Sequence, residues 1–128
     1  MHLNQITVSV SDIDRAIRFY AGLGLELIVR AAHYARFLAE NGSTFSLHKT
    51  DLVPPSGTVV YFECENLDER CQLLQSLGYI FEQIPTDQSW LWREAYMKDP
   101  DGNIICLYFA GDMRINPPWR LPREDVGN

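Results

Sequence analysis

The sequence predicts an α+β fold built from two βαβββ modules that pair into a curved mixed sheet around a concave cleft. Three observations predict it. Short segments alternate polar and apolar residues with period two, as half-buried strands do. Two segments carry apolar residues at helical spacing, each closed by glycine. The first of these units also recurs. With the chain slid on itself by 54 positions, Asp12 falls on Asn66, Ile13 on Leu67, Asp14 on Asp68, Leu23 on Leu77 and Gly24 on Gly78, with no gap. The modules span about residues 1–53 and 57–110 of a single domain, and residues 111–128 form an extended tail.

The bulk properties narrow the function. At 128 residues the chain can bury a real core, and 46% hydrophobic with 22% charged residues is an ordinary globular balance. A net charge of −6 argues against nucleic acid, whose binding draws on basic patches. No apolar run approaches the ~18 residues of a membrane span, and MHLNQITV lacks a signal-peptide pattern, so a cytoplasmic location is expected. Cys64, Cys71 and Cys106 have no CxxC spacing and read as reduced, buried thiols.

In the first module, Gln5–Val10 is a strand with Ile6, Val8 and Val10 on the core face and Gln5, Thr7 and Ser9 on the other. Ser11 or Asp12 caps a helix whose buried stripe is Ile13, Ala16, Ile17 and Tyr20. Leu25–Arg30 and His33–Ala39 read as strands. Asn41-Gly42 is a hairpin signal leading into Thr44–His48, where Phe45 and Leu47 face the core and Thr44, Ser46 and His48 face the other side. Val53-Pro54-Pro55-Ser56-Gly57 is a linker.

In the second module, Val59–Cys64 is a strand, Asn66–Leu77 a helix capped at Asn66, and Phe81–Ile84 a short strand before a Pro-Thr-Asp-Gln loop. The stretch from Trp90 to Phe109 organises the rest: an extended run, a turn at Asp99-Pro100-Asp101-Gly102, and the strand Ile104–Phe109. Crowding two tryptophans, an arginine and a glutamate into Trp90–Glu94 suits the wall of a small-molecule pocket, and equally a core hairpin with a satisfied ion pair. Proline keeps the segment 116–122 out of helix, and Trp119 there needs a packing partner.

The segment ITVSVSDIDRAIRFYAGLGLEL, the second helix ending in Leu77-Gly78, and the DPDGN turn at Asp99–Asn103 together resemble the vicinal oxygen chelate superfamily of glyoxalase I, extradiol dioxygenases and bleomycin-resistance proteins. The resemblance covers roughly residues 1–110. It implies the glyoxalase/bleomycin-resistance fold, on which many activities are built. Enzymes of the family hold a divalent metal with four inward side chains, and the resemblance carries those positions onto Gln5, Ser46, Val59 and Cys106. Such a set suits no hard cation, so no metal and no cofactor is expected. Trp90, Arg93 and Glu94 are similar to the metal-free bleomycin-resistance branch, with Leu91 where that branch usually has glycine. That branch implies an acidic dimer sequestering a flat compound between aromatic side chains.

Strand parity on this fold nominates an inner face. Gln5, Thr7, Ser46, His48 and one of His33 or Arg36 come from the first module, and Val59, Tyr61, Glu63, Cys106 and Tyr108 from the second. Trp90, Trp92 or Arg93 close the mouth. The expected ligand-binding set is therefore Gln5, Arg36, Ser46, His48, Tyr61, Glu63, Trp90, Trp92, Arg93, Cys106 and Tyr108. Alternatives stay open within it. His48 is a candidate base or a hydrogen-bonded wall residue. Glu63 would recognise a cation or act as a base with a raised pKa, or else pair with Arg36 or Arg93. Tyr61 and Tyr108 supply wall, Trp90 and Trp92 stack on a ligand or plug the cleft, and Cys106 is a nucleophile or a buried thiol.

The reading this supports is a metal-independent, homodimeric binder of a small organic ligand. The runner-up is a metal-dependent enzyme of the superfamily, resembling lactoylglutathione lyase or a dioxygenase, with its metal moved to His48, Glu63 and Cys106. A third is a structural dimer whose cleft is filled by its own side chains. Dimerisation is expected because one chain leaves sheet edges open. Neither a ligand nor a reaction follows from these residues alone.

Overall fold

A computed structural model describes residues 2–54 and 57–122. It is α+β: two four-stranded sheets, each with one helix. The strands and helices run β1 (Gln5–Val10), α1 (Ile13–Gly22), β2 (Glu26–Arg30), β3 (Tyr34–Leu38), β4 (Thr44–Lys49), β5 (Val59–Glu63), α2 (Leu67–Ser76), β6 (Gln83–Asp87), β7 (Arg93–Lys98) and β8 (Ile104–Phe109). The sheets are ordered β1-β4-β3-β2 and β5-β8-β7-β6, so the repeat seen in sequence is a repeat of topology. Both ends of α2 fall 54 positions beyond those of α1. Past the helices the offset grows, chiefly because the helix-to-strand connection and the β6–β7 turn of the second repeat are longer.

The chain clusters into two compact units. One holds residues up to Val59 together with Lys98–Ile105; the other holds Val60–Met97 and the segment from Cys106 on. The turn between β7 and β8 thus belongs to the first unit.

In the first unit β4 runs parallel to β1 and antiparallel to β3, and β2 is antiparallel to β3. Helix α1 starts at Asp12, whose carboxylate accepts from the Arg15 amide at 3.0 Å. Its stripe of Ile13, Ala16, Ile17 and Tyr20 is buried with Val8, Val10, Ala35, Phe37, Phe45 and Leu47. Tyr20 is the centre, with its ring 4.6 Å from Phe45 and 6.2 Å from Phe37. Gly42 turns the β3–β4 hairpin at φ +87°, a conformation that costs glycine little.

The turn after β7 is held in the same unit by its acidic side chains. Asp99 accepts four hydrogen bonds: the amides of Asp101 and Asn103 reach one carboxylate oxygen, and the Tyr20 hydroxyl (2.6 Å) and Asn103 side-chain amide reach the other. Asn103 also donates to the Ser9 carbonyl, and Asp101 accepts from the Ser11 amide and hydroxyl and from Arg15. Asp99 and Asn103 are buried, so these bonds satisfy what burial would otherwise penalise. The DPDGN motif is a structural clasp.

In the second unit Val60, Leu67, Cys71, Leu74, Ala95, Met97 and Leu107 form the core. Four local expectations are corrected. Asn66 sits at the N-cap of α2 but its side chain makes no cap hydrogen bond. The strand expected at Phe81–Ile84 is Gln83–Asp87 and includes Pro85. It is the edge of its sheet, with a register shift between Gln83 and Thr86, where a missing amide is tolerated. The extended run expected from Trp90 starts only at Arg93. Gln88–Trp92 is a tight hairpin turn, with the Gln88 amide donating to the Trp92 carbonyl, and Leu91 takes a φ of +69° there. The tail is not extended throughout: Gly111–Arg114 is a 3-10 helix. Trp119 is exposed. In the linker, Pro55 and Ser56 lie outside the described residues, as do residues 123–128 of the tail.

Candidate functional site

Alternation along β7 sets the faces of the second sheet. Ala95 and Met97 are buried, and Arg93, of the same parity, reaches Asp68 on α2. Trp92, Glu94 and Tyr96 therefore share the opposite face. There Trp92 stacks on Tyr108 of β8 with centroids 4.7 Å apart and planes 19° from parallel. Tyr61 of β5 stands edge-on to both, at 6.1 Å from Trp92 and 5.6 Å from Tyr108. Tyr61 is 46% exposed and Trp92 half-buried, whereas Tyr108 is buried, so this aromatic face reaches solvent through Tyr61 and Trp92.

Beside it lies a polar chain. Glu94 is 2% exposed, and its two carboxylate oxygens accept from Trp90 Nε1 (2.9 Å) and the Tyr96 hydroxyl (3.0 Å). Burial, then the neighbouring Cys106, pushes the Tyr96 hydroxyl above the usual phenol range, which keeps it a donor. Burial likewise pushes the Cys106 thiol up to about 12. A thiol so raised is protonated at neutral pH, which is the buried-thiol alternative and not an activated nucleophile.

Two nominated charges are engaged elsewhere. Glu63 Oε2 accepts from the amides of Ala110 and Gly111, both at 2.9 Å, and its other oxygen lies 3.9 Å from Arg114. It caps the 3-10 helix, and these partners, rather than another strand's arginine, hold the carboxylate. Arg93 is bound to Asp68 and Asp87 on the helix-covered side, away from the aromatic face.

The first sheet has its own polar face. Ala35 and Phe37 are buried, so Tyr34 and Arg36 point the other way, and His33 is exposed beyond the strand end. Register places Arg36 beside Ser46 and Tyr34 beside His48, with Thr7 and Ser9 one strand further on, across β4. The Tyr34 hydroxyl lies 2.7 Å from the fully buried Ser46 hydroxyl and accepts from Arg36 Nε at 2.9 Å. The Ser46 bond, with help from Arg36, lowers the Tyr34 pKa against the opposing effect of burial. His48 is exposed, and Gln5 accepts from the Thr44 hydroxyl at 2.7 Å. An open dent at the start of α1, lined by residues such as Ser11, Asp14, Arg30 and Lys49, contains none of the nominated residues.

Tyr34 and Tyr96 lie outside the expected ligand-binding set, as does Glu94, which the sequence marks only within the Trp90–Glu94 cluster. The signal for them was present: Ala35/Phe37 and Ala95/Met97 identify the covered face of β3 and β7, and these residues are the alternate ones.

The family model described as the Glyoxalase/Bleomycin resistance protein/Dioxygenase superfamily matches residues 2–107. The chain belongs to that superfamily. Among curated proteins it is similar to the uncharacterized protein YraH of Bacillus subtilis (strain 168), 28% identical over 131 residues, covering 84% of this chain and 98% of that protein. Among solved structures it is similar to a glyoxalase/bleomycin resistance protein/dioxygenase from Nocardioides, at 23% identity and TM-score 0.76, covering 95% of this chain and 90% of that one. It is also similar to a bleomycin-binding protein complexed with bleomycin, at 20% identity and TM-score 0.71, covering 85% and 98%. These two likenesses show the fold.

The superfamily implies a divalent metal, and the residues at its four positions fit one poorly. Val59 has no donor atom, the Ser46 hydroxyl is buried against Tyr34, Gln5 is bonded to Thr44, and Cys106 holds its proton. Hard cations want several carboxylate or carbonyl oxygens together, and transition metals several carboxylates or imidazole nitrogens. The alternative set of His48, Glu63 and Cys106 loses Glu63 to the backbone. Among the described residues no three His, Cys, Asp or Glu converge as a metal site. No helix of the described residues is long and apolar enough to cross a membrane.

Proposed function

We propose that this superfamily member is a metal-independent, cytoplasmic, homodimeric binding protein that takes a flat organic ligand against Tyr61, Trp92 and Tyr108. The carrying observation is the solvent-reaching aromatic face: a stacked Trp92–Tyr108 pair with Tyr61 at right angles to it. Such a surface offers the accessible parts of the Tyr61 and Trp92 rings to a planar guest, with buried Tyr108 backing Trp92. Trp90, moored to buried Glu94, borders it. The relative solved in complex with bleomycin supports small-molecule binding on this fold. The three cysteines form no disulfide, which suits a reducing compartment. A metal-dependent lyase or dioxygenase would need donors that Val59 and Cys106 do not supply.

The test is tryptophan fluorescence of chelator-treated protein titrated with a panel of planar aromatic compounds, neutral and cationic. Saturable quenching that is lost in Trp92→Leu is expected. A panel with no response, or a response that appears only after a divalent metal is added, would overturn the proposal.

A further inference from the structure

Arg36 stands out on the polar face of the first sheet. Arg15, Arg30, Arg93 and Arg114 each meet a carboxylate. Arg36 instead spends its Nε hydrogen on the Tyr34 hydroxyl, with the guanidinium carbon 5.4 Å from the centre of the Tyr34 ring. Tyr34 is in turn fixed by the wholly buried Ser46. One edge of the guanidinium is thereby locked, and the terminal nitrogens make no ion pair or hydrogen bond among the described residues. Glu26, on β2 and in register with Leu38, does not pair with it. Arg36 is also only partly exposed, in a chain whose acidic residues outnumber basic ones by 17 to 11. A guanidinium with its Nε edge fixed and its terminal edge open is pre-organised for an outside anion.

From this we infer that Arg36 is the receptor for an oxyanion, the carboxylate or phosphate group of a small organic acid, with the free guanidinium fork as its primary contact. The fork's parallel N–H groups match either anion in bidentate geometry. His48, in register with Tyr34, supplies a further polar group on the same face. The Tyr34–Ser46 pair is the positioning element: it takes the Nε edge and leaves the terminal edge for the guest. The inferred site lies wholly within the first unit and is argued separately from the aromatic face of the second.

The test uses the full chain labelled with 15N, following the arginine Nε–H resonances while sodium phosphate or sodium acetate is added at constant ionic strength. A saturable shift at Arg36 is expected with at least one anion, and none with chloride. Response to phosphate alone assigns a phosphate ester, and response to acetate alone a carboxylic acid. Arg36→Lys, which keeps the charge but loses the fork, should weaken binding about tenfold or more, read from the backbone amide shifts of residues 34–37 in the same 15N spectra. Tyr34→Phe, which frees the Nε edge, should weaken it less. A linear shift shared with chloride, or one unchanged in Arg36→Lys, overturns the inference. Failure here leaves the fluorescence result on Trp92 untouched, and the reverse also holds.

Discussion

The Trp90 indole donates to the Glu94 carboxylate across the mouth of the β6–β7 hairpin, at 2.9 Å. Trp90 is 43% exposed and Glu94 is buried, so an anchor in the core holds an aromatic side chain at the surface. Replacing Glu94 with alanine strands the Tyr96 hydroxyl and frees Trp90. The expected loss is about 2–3 kcal/mol of stability by urea unfolding. Trp90 emission should shift to the red before unfolding. Unchanged emission in a folded variant would show that the carboxylate does not hold the indole.

Leu91 occupies the left-handed region at φ +69° and is half-exposed. A side chain there costs about 1–2 kcal/mol that glycine does not incur, while glycine gives back part of this in unfolded-chain entropy. Leu91→Gly should therefore raise the unfolding midpoint by about 0.5–1 kcal/mol equivalent. Leu91→Ala keeps the backbone penalty and should show no gain. Equal behaviour of the two variants would contradict the strain.

Tyr20 joins the aromatic core of the first unit to Asp99 through a 2.6 Å hydrogen bond. Tyr20→Phe keeps the ring but leaves Asp99 one donor short, for a cost of about 1–3 kcal/mol. The loss should be seen in thermal melts, with amide exchange fastest at Asp101 and Asn103. Protection unchanged at those amides would mean that the clasp closes without the phenol.

Burial raises the Cys71 thiol to about 11 and the Cys106 thiol to about 12, from an ordinary 9.0. The unfolded chain ionises these groups first, so their support for folding is complete below pH 9. It is lost as pH climbs toward 11 and 12. Denaturant midpoints should fall across that window, and less steeply in Cys106→Ala relative to its own value at pH 8. A thiol reagent at pH 8 should modify the less buried Cys64 first. Rapid reaction of Cys106 in folded protein would argue for an activated thiolate instead.

Arg93 pairs with two exposed carboxylates on the helix-covered side. Such pairs are worth about 1 kcal/mol or less each. Arg93→Met should cost little stability and leave fluorescence titrations with aromatic compounds unchanged. A large loss of binding would return Arg93 to the ligand face.

Much of the fold was legible because its determinants are local. Periodicity placed β1, β4, β5, β8 and the stripe on α1; caps and glycines closed the helices; the 54-residue offset exposed the repeat. The topology of the second repeat matches that of the first because the same pattern meets the same steric rules twice. What misled was also local in appearance. Pro85 reads as a strand breaker, yet an edge strand needs no amide there. Trp90 reads as a strand residue, yet the turn takes it together with a leucine at positive φ.

The site was less legible, because its residues are defined by what lies across the sheet. Alternation alone puts Ser46 and Glu63 on a polar face. Only the packed structure shows Ser46 sealed under Tyr34 and Glu63 spent on the amides of Ala110 and Gly111. By itself the sequence determined the α+β duplication and the turn at Asp99–Gly102, since these follow from residue type and spacing, while the positions compared with metal ligands came from the resemblance. Tertiary structure decided which charges are already satisfied and which, like Arg36, are left open, because a hydrogen bond is made between strands that the chain brings together only when it folds.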